Sequence, residues 1–174
     1  MHLMIDLETL DTKPTAVFST VGLCTFDMDR GVVDRWVYRV DMQSSINAGR
    51  TISADTLRWW MRQDENPREA MFAEGGLALQ EFLHALRAQF STEIEGVWGN
   101  GATFDISILE SAYHQAGEEP PWPFYTVRDV RTMAMLAPHV ERTRPAIPHR
   151  AELDAEAQAQ WVVDMHRALR LDPI

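Results

Sequence analysis

Two acids, Asp6 and Glu8, stand two residues apart at the end of the apolar opening run MHLMIDLE. In a strand, residues i and i+2 point to the same side, so both carboxylates would share one face. Like charges held side by side are unfavourable unless a cation neutralises them, and hard oxygen donors of this kind suit Mg²⁺ or Mn²⁺. Taken alone, the pair is explained more simply as a solvated strand end. Three further residues change its weight. Asp105 follows the apolar stretch GVWGN at a helix start, a place where the helix dipole also favours an acid. Asp154 lies inside a helical stretch, where Asp is mildly unfavourable and needs a reason. His149 precedes Asp154 by five residues, after a loop that would let it move yet keep it near that carboxylate. A neutral imidazole is suited to taking a proton from water. His2, His84, His114, His139 and His166 lack such an acidic pattern and read as inert.

The elements that must position these residues follow from periodicity. Residues 2–6 read as a strand, residues 16–27 and 32–41 are β-rich, and MDRG between the latter two is a turn signal. Together they predict a three-strand antiparallel meander. Ser53 reads as the N-cap of a helix carrying Trp59 and Trp60, and Pro67 opens a second helical stretch that Gly75 and Gly76 interrupt. Leu77, Phe82, Leu83, Leu86 and Phe90 share one face of a third helix. A short strand, GVWGN, precedes a helix bearing Asp105 that Gly117 closes. FYTV reads as a strand, RDVRTMAMLA as a helix, and residues 138–150, with three prolines and three arginines, as a loop. Residues 151–171 form the last helix. The order, three strands and then helices alternating with two strands, predicts one α/β domain over residues 1–174.

The composition narrows the partners. A net charge of −10 argues against broad neutralisation of a nucleic-acid backbone, which depends on many Lys and Arg contacts. It leaves room for an enzyme that meets phosphate through bound metal, because the ion inverts the local field. The single Cys24 excludes an intramolecular disulfide and a cysteine zinc site, which fits a reducing, cytoplasmic setting. No secretory signal and no apolar run of roughly 18 residues is present, so no membrane association is expected.

The ordered set D-L-E (Asp6, Glu8), N-G-A-T-F-D (Asp105) and H-R-A-E-L-D (His149, Asp154) resembles the DEDDh branch of the DnaQ-like, RNase T-like 3′–5′ exonucleases. The closer likeness is to phage- and prophage-associated members, in which D-L-E-T is followed by a T-x-P-T stretch, here Thr12 to Thr15. Some of those carry an exodeoxyribonuclease VIII label, and related proteins are described as exoribonucleases. The motifs span residues 6 to 154 in the family's order, whereas the interval 44–76 does not align with better-known members. The resemblance implies a ribonuclease H-like fold, with a mixed five-stranded sheet flanked by helices and its first three strands antiparallel. It also implies two divalent cations, Mg²⁺ or Mn²⁺, about 4 Å apart on a phosphodiester. By that likeness Asp6 bridges both, Glu8 and Asp154 complete the first site, Asp105 holds the second, and His149 is the general base. The expected substrate is a single-stranded DNA or RNA 3′ end, the product a nucleoside 5′-monophosphate, and a homodimer is a state to expect.

Other residues stay open between two readings. Thr9 and Leu10 would meet the terminal nucleotide in the resembled family, and Leu10 fits a core equally well. Phe104 could stack on a base, since every base has a π-face, or be buried. Trp59 and Trp60 cannot both face the same way on a helix, so one is expected in the core and the other could serve a single strand. Asp129 reads better as a helix-start acid than as a fifth ligand. Arg142, Arg144 and Arg150 cluster beside His149, with Arg144 and Arg150 as candidate phosphate contacts. A ribonuclease H-like endonuclease and a catalytically inactive binding module are the competing functions.

Overall fold

A computed structural model describes residues 1–90 and 94–169. The first strand, β1 (His2–Thr9), runs past Asp6 because its pairing with β2 (Phe18–Asp27) continues through Glu8↔Thr20. β3 (Gly31–Arg39) completes the antiparallel meander expected from the β-rich runs and the MDRG turn. β4 (Gly96–Gly99) and β5 (Val127–Asp129) add in parallel on the other side, giving the order β3-β2-β1-β4-β5.

The period-two alternation of β1 divides the core. Leu3, Ile5 and Leu7 pack with Phe18, Val21 and Leu23 against α4 (Leu79–Gln89) and α5 (Ala102–Gln115). Met4, on the opposite face, packs with Cys24, Phe26 and Trp98 against α7 (Ala151–Leu169). Asp6 and Glu8 continue the Met4 face, so the same alternation that buries the core turns both carboxylates towards α7.

Between β3 and α4 the chain forms three short helices, α1 (Met42–Asn47), α2 (Ala54–Trp60) and α3 (Glu65–Phe72). α1 has no counterpart among the expected elements; MQSSIN is short and polar, and its start is set by the Asp41 carboxylate accepting from the Ser44 N–H. Ser53 caps α2 as expected, accepting from the Asp55 and Thr56 N–H groups. The expected strand FYTV is instead a 3₁₀ turn, Phe124–Thr126, and only then β5. Pro123 introduces it, and Phe124 and Tyr125 are largely exposed, so no sheet face holds them extended. α6 (Val130–Leu136) follows, and residues 138–150 contain no helix or strand. The last two residues of the expected final helix lie outside the described residues. Among the described residues no helix is long and apolar enough to cross a membrane.

Candidate active site

Each of Asp6, Glu8 and Asp154 offers one carboxylate oxygen within 4.8 Å of the others. The packing of α7 on the sheet makes this possible. Gly22 pairs with Asp6 across β1 and β2, and a Cβ on it would lie 2.0 Å from the backbone carbonyl of Ala151. The missing side chain lets the first turn of α7, which carries Asp154, sit directly on the sheet beside Asp6. One turn further along, Gln158 is buried and donates from Nε2 to Asp6 Oδ1 at 2.7 Å. It fixes one face of that carboxylate and leaves the other oxygen open. Asp154 is held in turn by the Arg150 N–H, which donates to its Oδ2 at 3.1 Å.

The electrostatics record the cost of the assembly. Burial, then Asp105, Glu8 and Asp154, push the Asp6 carboxyl well above its ordinary range. Burial and the charges of Asp154, Asp105 and Glu152 do the same to Glu8. Burial raises Asp154 as well, opposed by His149. Hard oxygen donors gathered against their own repulsion fit a divalent cation of the Mg²⁺ or Mn²⁺ kind.

Asp105 stands beside this trio, on the first turn of α5. Strand β4 pairs with β1 only through Met4, so the edge of β1 beyond it needs other partners, and Asp105 Oδ1 accepts from the buried Leu7 N–H at 3.1 Å. Burial brings Asp105 up to about 7 even though Leu7 and Arg131 pull the other way. Asp129 is the N-cap of α6, accepting from the Thr132 N–H and hydroxyl, and its second oxygen accepts from the Gly101 and Ala102 N–H groups. The helix-start reading of Asp129 therefore holds, and the residue braces the start of α5.

His149 has φ +61°, a left-handed conformation that costs a non-glycine residue about 1–3 kcal/mol and persists only where the surroundings enforce it. They do so here. Its ring meets Trp59 edge-on with centroids 4.9 Å apart, and Trp60 at 6.2 Å. Trp60 is 1% exposed and donates from Nε1 to the Thr9 carbonyl at 2.8 Å, whereas Trp59 is 42% exposed. The division of the pair into one core and one accessible ring is as expected.

A cleft of about 410 Å³ opens beside Glu8, walled by Leu7, Thr9, Phe104, Trp59 and Trp60, with Thr12, Asp55 and Thr56 as polar groups. Phe104 and Thr9 thus line this cleft. Of its two readings Leu10 takes the core one: it is 3% exposed and packs with Val17, Trp60 and Met71. Arg150 lies close but is engaged, donating to Glu152 at 2.7 Å and to Asn66 at 3.1 Å. Arg144 lines a separate groove with Val32, Leu153 and Glu156. Arg131 was not expected; its guanidinium packs on Gly101, close enough to Asp105 to favour the carboxylate. Gly22, Gln158 and Arg131 had no local sequence signal, since their roles arise from residues far away in the chain. Of the other histidines, His84 and His114 do meet acids, Glu118 and Glu119, but on an exposed surface.

Solved structures of known proteins share this fold. Exonuclease I with bound product superposes with a TM-score of 0.65 at 13% identity, over 96% of this chain and 43% of that one. Exonuclease X in complex with 5′-overhanging duplex DNA gives 0.65 at 17% identity, over 99% and 95%. E. coli exonuclease I with a dT13 oligonucleotide gives 0.64 at 14% identity, over 97% and 40%. The chain therefore spans under half the length of exonuclease I, and at these identities the likeness carries the ribonuclease H-like fold. No curated protein sequence matches significantly. Residues 1–165 match a family described by its exoribonuclease activity, without the exodeoxyribonuclease VIII label of some resembled members. Spanning nearly the whole domain, that match makes this chain a member of the Rv2179c-like 3′–5′ exoribonuclease domain family.

Proposed function

We propose that the protein removes nucleoside 5′-monophosphates from the 3′ end of single-stranded nucleic acid, with RNA as its substrate. The observation that carries this reading is the convergence of the Asp6, Glu8 and Asp154 oxygens beside the cleft and His149. RNA follows from the family description, and a ribose 2′-hydroxyl would find polar partners at Thr12, Asp55 and Thr56 in the cleft.

Asp6, Glu8 and Asp154 would hold one divalent cation, and Asp6 with Asp105 a second. Bound there, the cations supply charge neutralisation and lower the pKa of the attacking water. The remaining work belongs to side chains. Gln158 holds Asp6 in one orientation through its 2.7 Å hydrogen bond. The terminal base enters the cleft between Phe104 and Trp59, which excludes water on either side of it. His149 takes the proton of the attacking water at a ring nitrogen as the water oxygen bonds to phosphorus. The bond from phosphorus to the neighbouring nucleotide's 3′-oxygen breaks, and that oxygen takes a proton from solvent to become the new 3′-hydroxyl. Arg131, on the Asp105 side, meets a phosphate of the remaining strand. With a net charge of −10, the protein holds an end and not a long stretch of polymer.

Digestion of matched RNA and DNA oligonucleotides labelled at either end tests this. Stepwise loss of 5′-monophosphates from the 3′ end, faster on RNA and abolished by EDTA, is expected. Faster digestion of DNA would overturn the choice of RNA. Cleavage of a circular substrate would instead establish an endonuclease, and metal-independent turnover would overturn the mechanism.

A further inference from the structure

We infer that the segment between β3 and α4 is a positioning device for His149, with Trp59 as its working part. This rests on His149 being the general base in the function proposed above. Residues 138–150 contain no helix or strand, and the backbone N–H groups of His149 and Arg150 tie the end of that loop to Asp154 without orienting the imidazole ring. The segment fixes it from outside. α2 is tied to the end of β1 twice: the Ser53 N–H donates to the Leu10 carbonyl at 2.8 Å, and Trp60 Nε1 to the Thr9 carbonyl at 2.8 Å. Both anchors lie within two residues of Glu8. Asn66, on α3, accepts from Arg150 at 3.1 Å and holds the loop at the residue after His149.

From this base Trp59 and Trp60 present two ring faces or edges to the imidazole, at interplanar angles of 85° and 78°. The ring of His149 is thereby registered to Glu8 through the aromatic pair, although the two residues are far apart in sequence. The two tryptophans differ in freedom. Trp60 is buried and hydrogen-bonded, while Trp59 also walls the cleft and is 42% exposed. A base entering the cleft presses on the same ring that bears on His149, so Trp59 links occupation of the cleft to the placement of the imidazole. It acts through His149 and needs no contact with the reacting atoms.

A double-mutant cycle separates this from a mere cleft wall. W59L is expected to lower kcat about tenfold, over and above any rise in KM from the lost cleft wall, a part of the roughly 100-fold or greater loss that removing a general base causes. W59F, which keeps a ring edge, restores most of the rate. In an H149A background W59L should have no further effect on kcat. An equal loss in both backgrounds, or a rise in KM with kcat kept, would overturn the inference. Because Trp59 is half exposed, W59L leaves the core intact. Proton NMR of the His149 ring gives a readout independent of turnover. Its Hε1 resonance should be displaced by the indoles in the wild type and move towards the free-histidine position in W59L. An unmoved resonance would overturn the positioning role. If the functional reading itself failed, D6A would digest RNA as the wild type does, a result the NMR comparison does not share.

Discussion

Asp6, Glu8 and Asp105 stand on the middle strand of the sheet and on a 14-residue helix, buried or half-buried, with hydrogen bonds from Gln158 and Leu7 reaching two of them. His149 stands on a loop without regular structure, in a left-handed conformation, and is held by rings from a helix of only seven residues. The two halves face each other across one cleft. The carboxylate half is rigid because sheet pairing and core packing set it, and it stores mutual repulsion. The aromatic half hangs on fewer ties: the ring contacts, the Arg150–Asn66 hydrogen bond and the backbone hydrogen bonds to Asp154. A cation site needs fixed donors at close range, and a proton acceptor must follow a substrate that comes and goes.

The contrast can be broken from either side. His149→Ala should lower kcat by about 100-fold or more while leaving Mn²⁺ binding unchanged; a loss of Mn²⁺ affinity, read by calorimetry, would show that the halves are not separate. Gly22→Ala tests the rigid half. The new methyl would lie 2.0 Å from the backbone of Ala151, so α7 must move away from β2. Overpacking of this kind costs about 1–3 kcal/mol, and displacing Asp154 should weaken Mn²⁺ binding as well; unchanged denaturation and binding would contradict the described seating of α7.

The stored repulsion makes a smaller effect with a definite sign. Asp6, Glu8, Asp105 and Asp154 all titrate above their ordinary range in the folded, metal-free protein, chiefly through burial. The folded state therefore binds more protons than the unfolded one between the usual carboxylate range and about 7, the value for Asp105. These four acids lower stability as pH rises through that window, and the single opposing group, His2, held down to about 4 by burial, offsets only part of that fall, in the window's more acidic stretch. Thermal melts in EDTA from pH 5 to 8 should show a decline, and Asp6→Asn should flatten it; a rise with pH would contradict the assignment. The smallest effect is expected at Arg131, where Arg131→Gln should raise KM a few-fold without changing kcat, in keeping with one exposed phosphate contact.

The rigid half was also the legible one. Strict alternation in β1 puts Asp6 and Glu8 on one face, and the helix starts at Asp105 and before Asp154 follow from local signals. Phe104 and the split between Trp59 and Trp60 could be framed as two-way choices from helix geometry. What decided them lay elsewhere: Trp60 is buried by a hydrogen bond to Thr9 and by Leu10 and Met71, which no local window contains. Leu10 went to the core for the same reason. Gly22 and Gln158 matter only once α7 is seated on the sheet. Arg150, attractive as a cation next to His149, is consumed by Glu152 and Asn66. Local pattern reveals the donors; long-range contacts reveal what aims them.

In the proposed mechanism β1 and α7 jointly hold a divalent cation through Asp6, Glu8 and Asp154. Thermal unfolding with and without Mn²⁺, for the wild type, Asp6→Asn and Asp154→Asn, examines that site without substrate. Mn²⁺ should raise the Tm of the wild type, because a ligand that binds only the folded state stabilises it. It should do so far less in either variant, although both variants should be at least as stable as the wild type in EDTA. Equal stabilisation of all three proteins by Mn²⁺ would contradict the account.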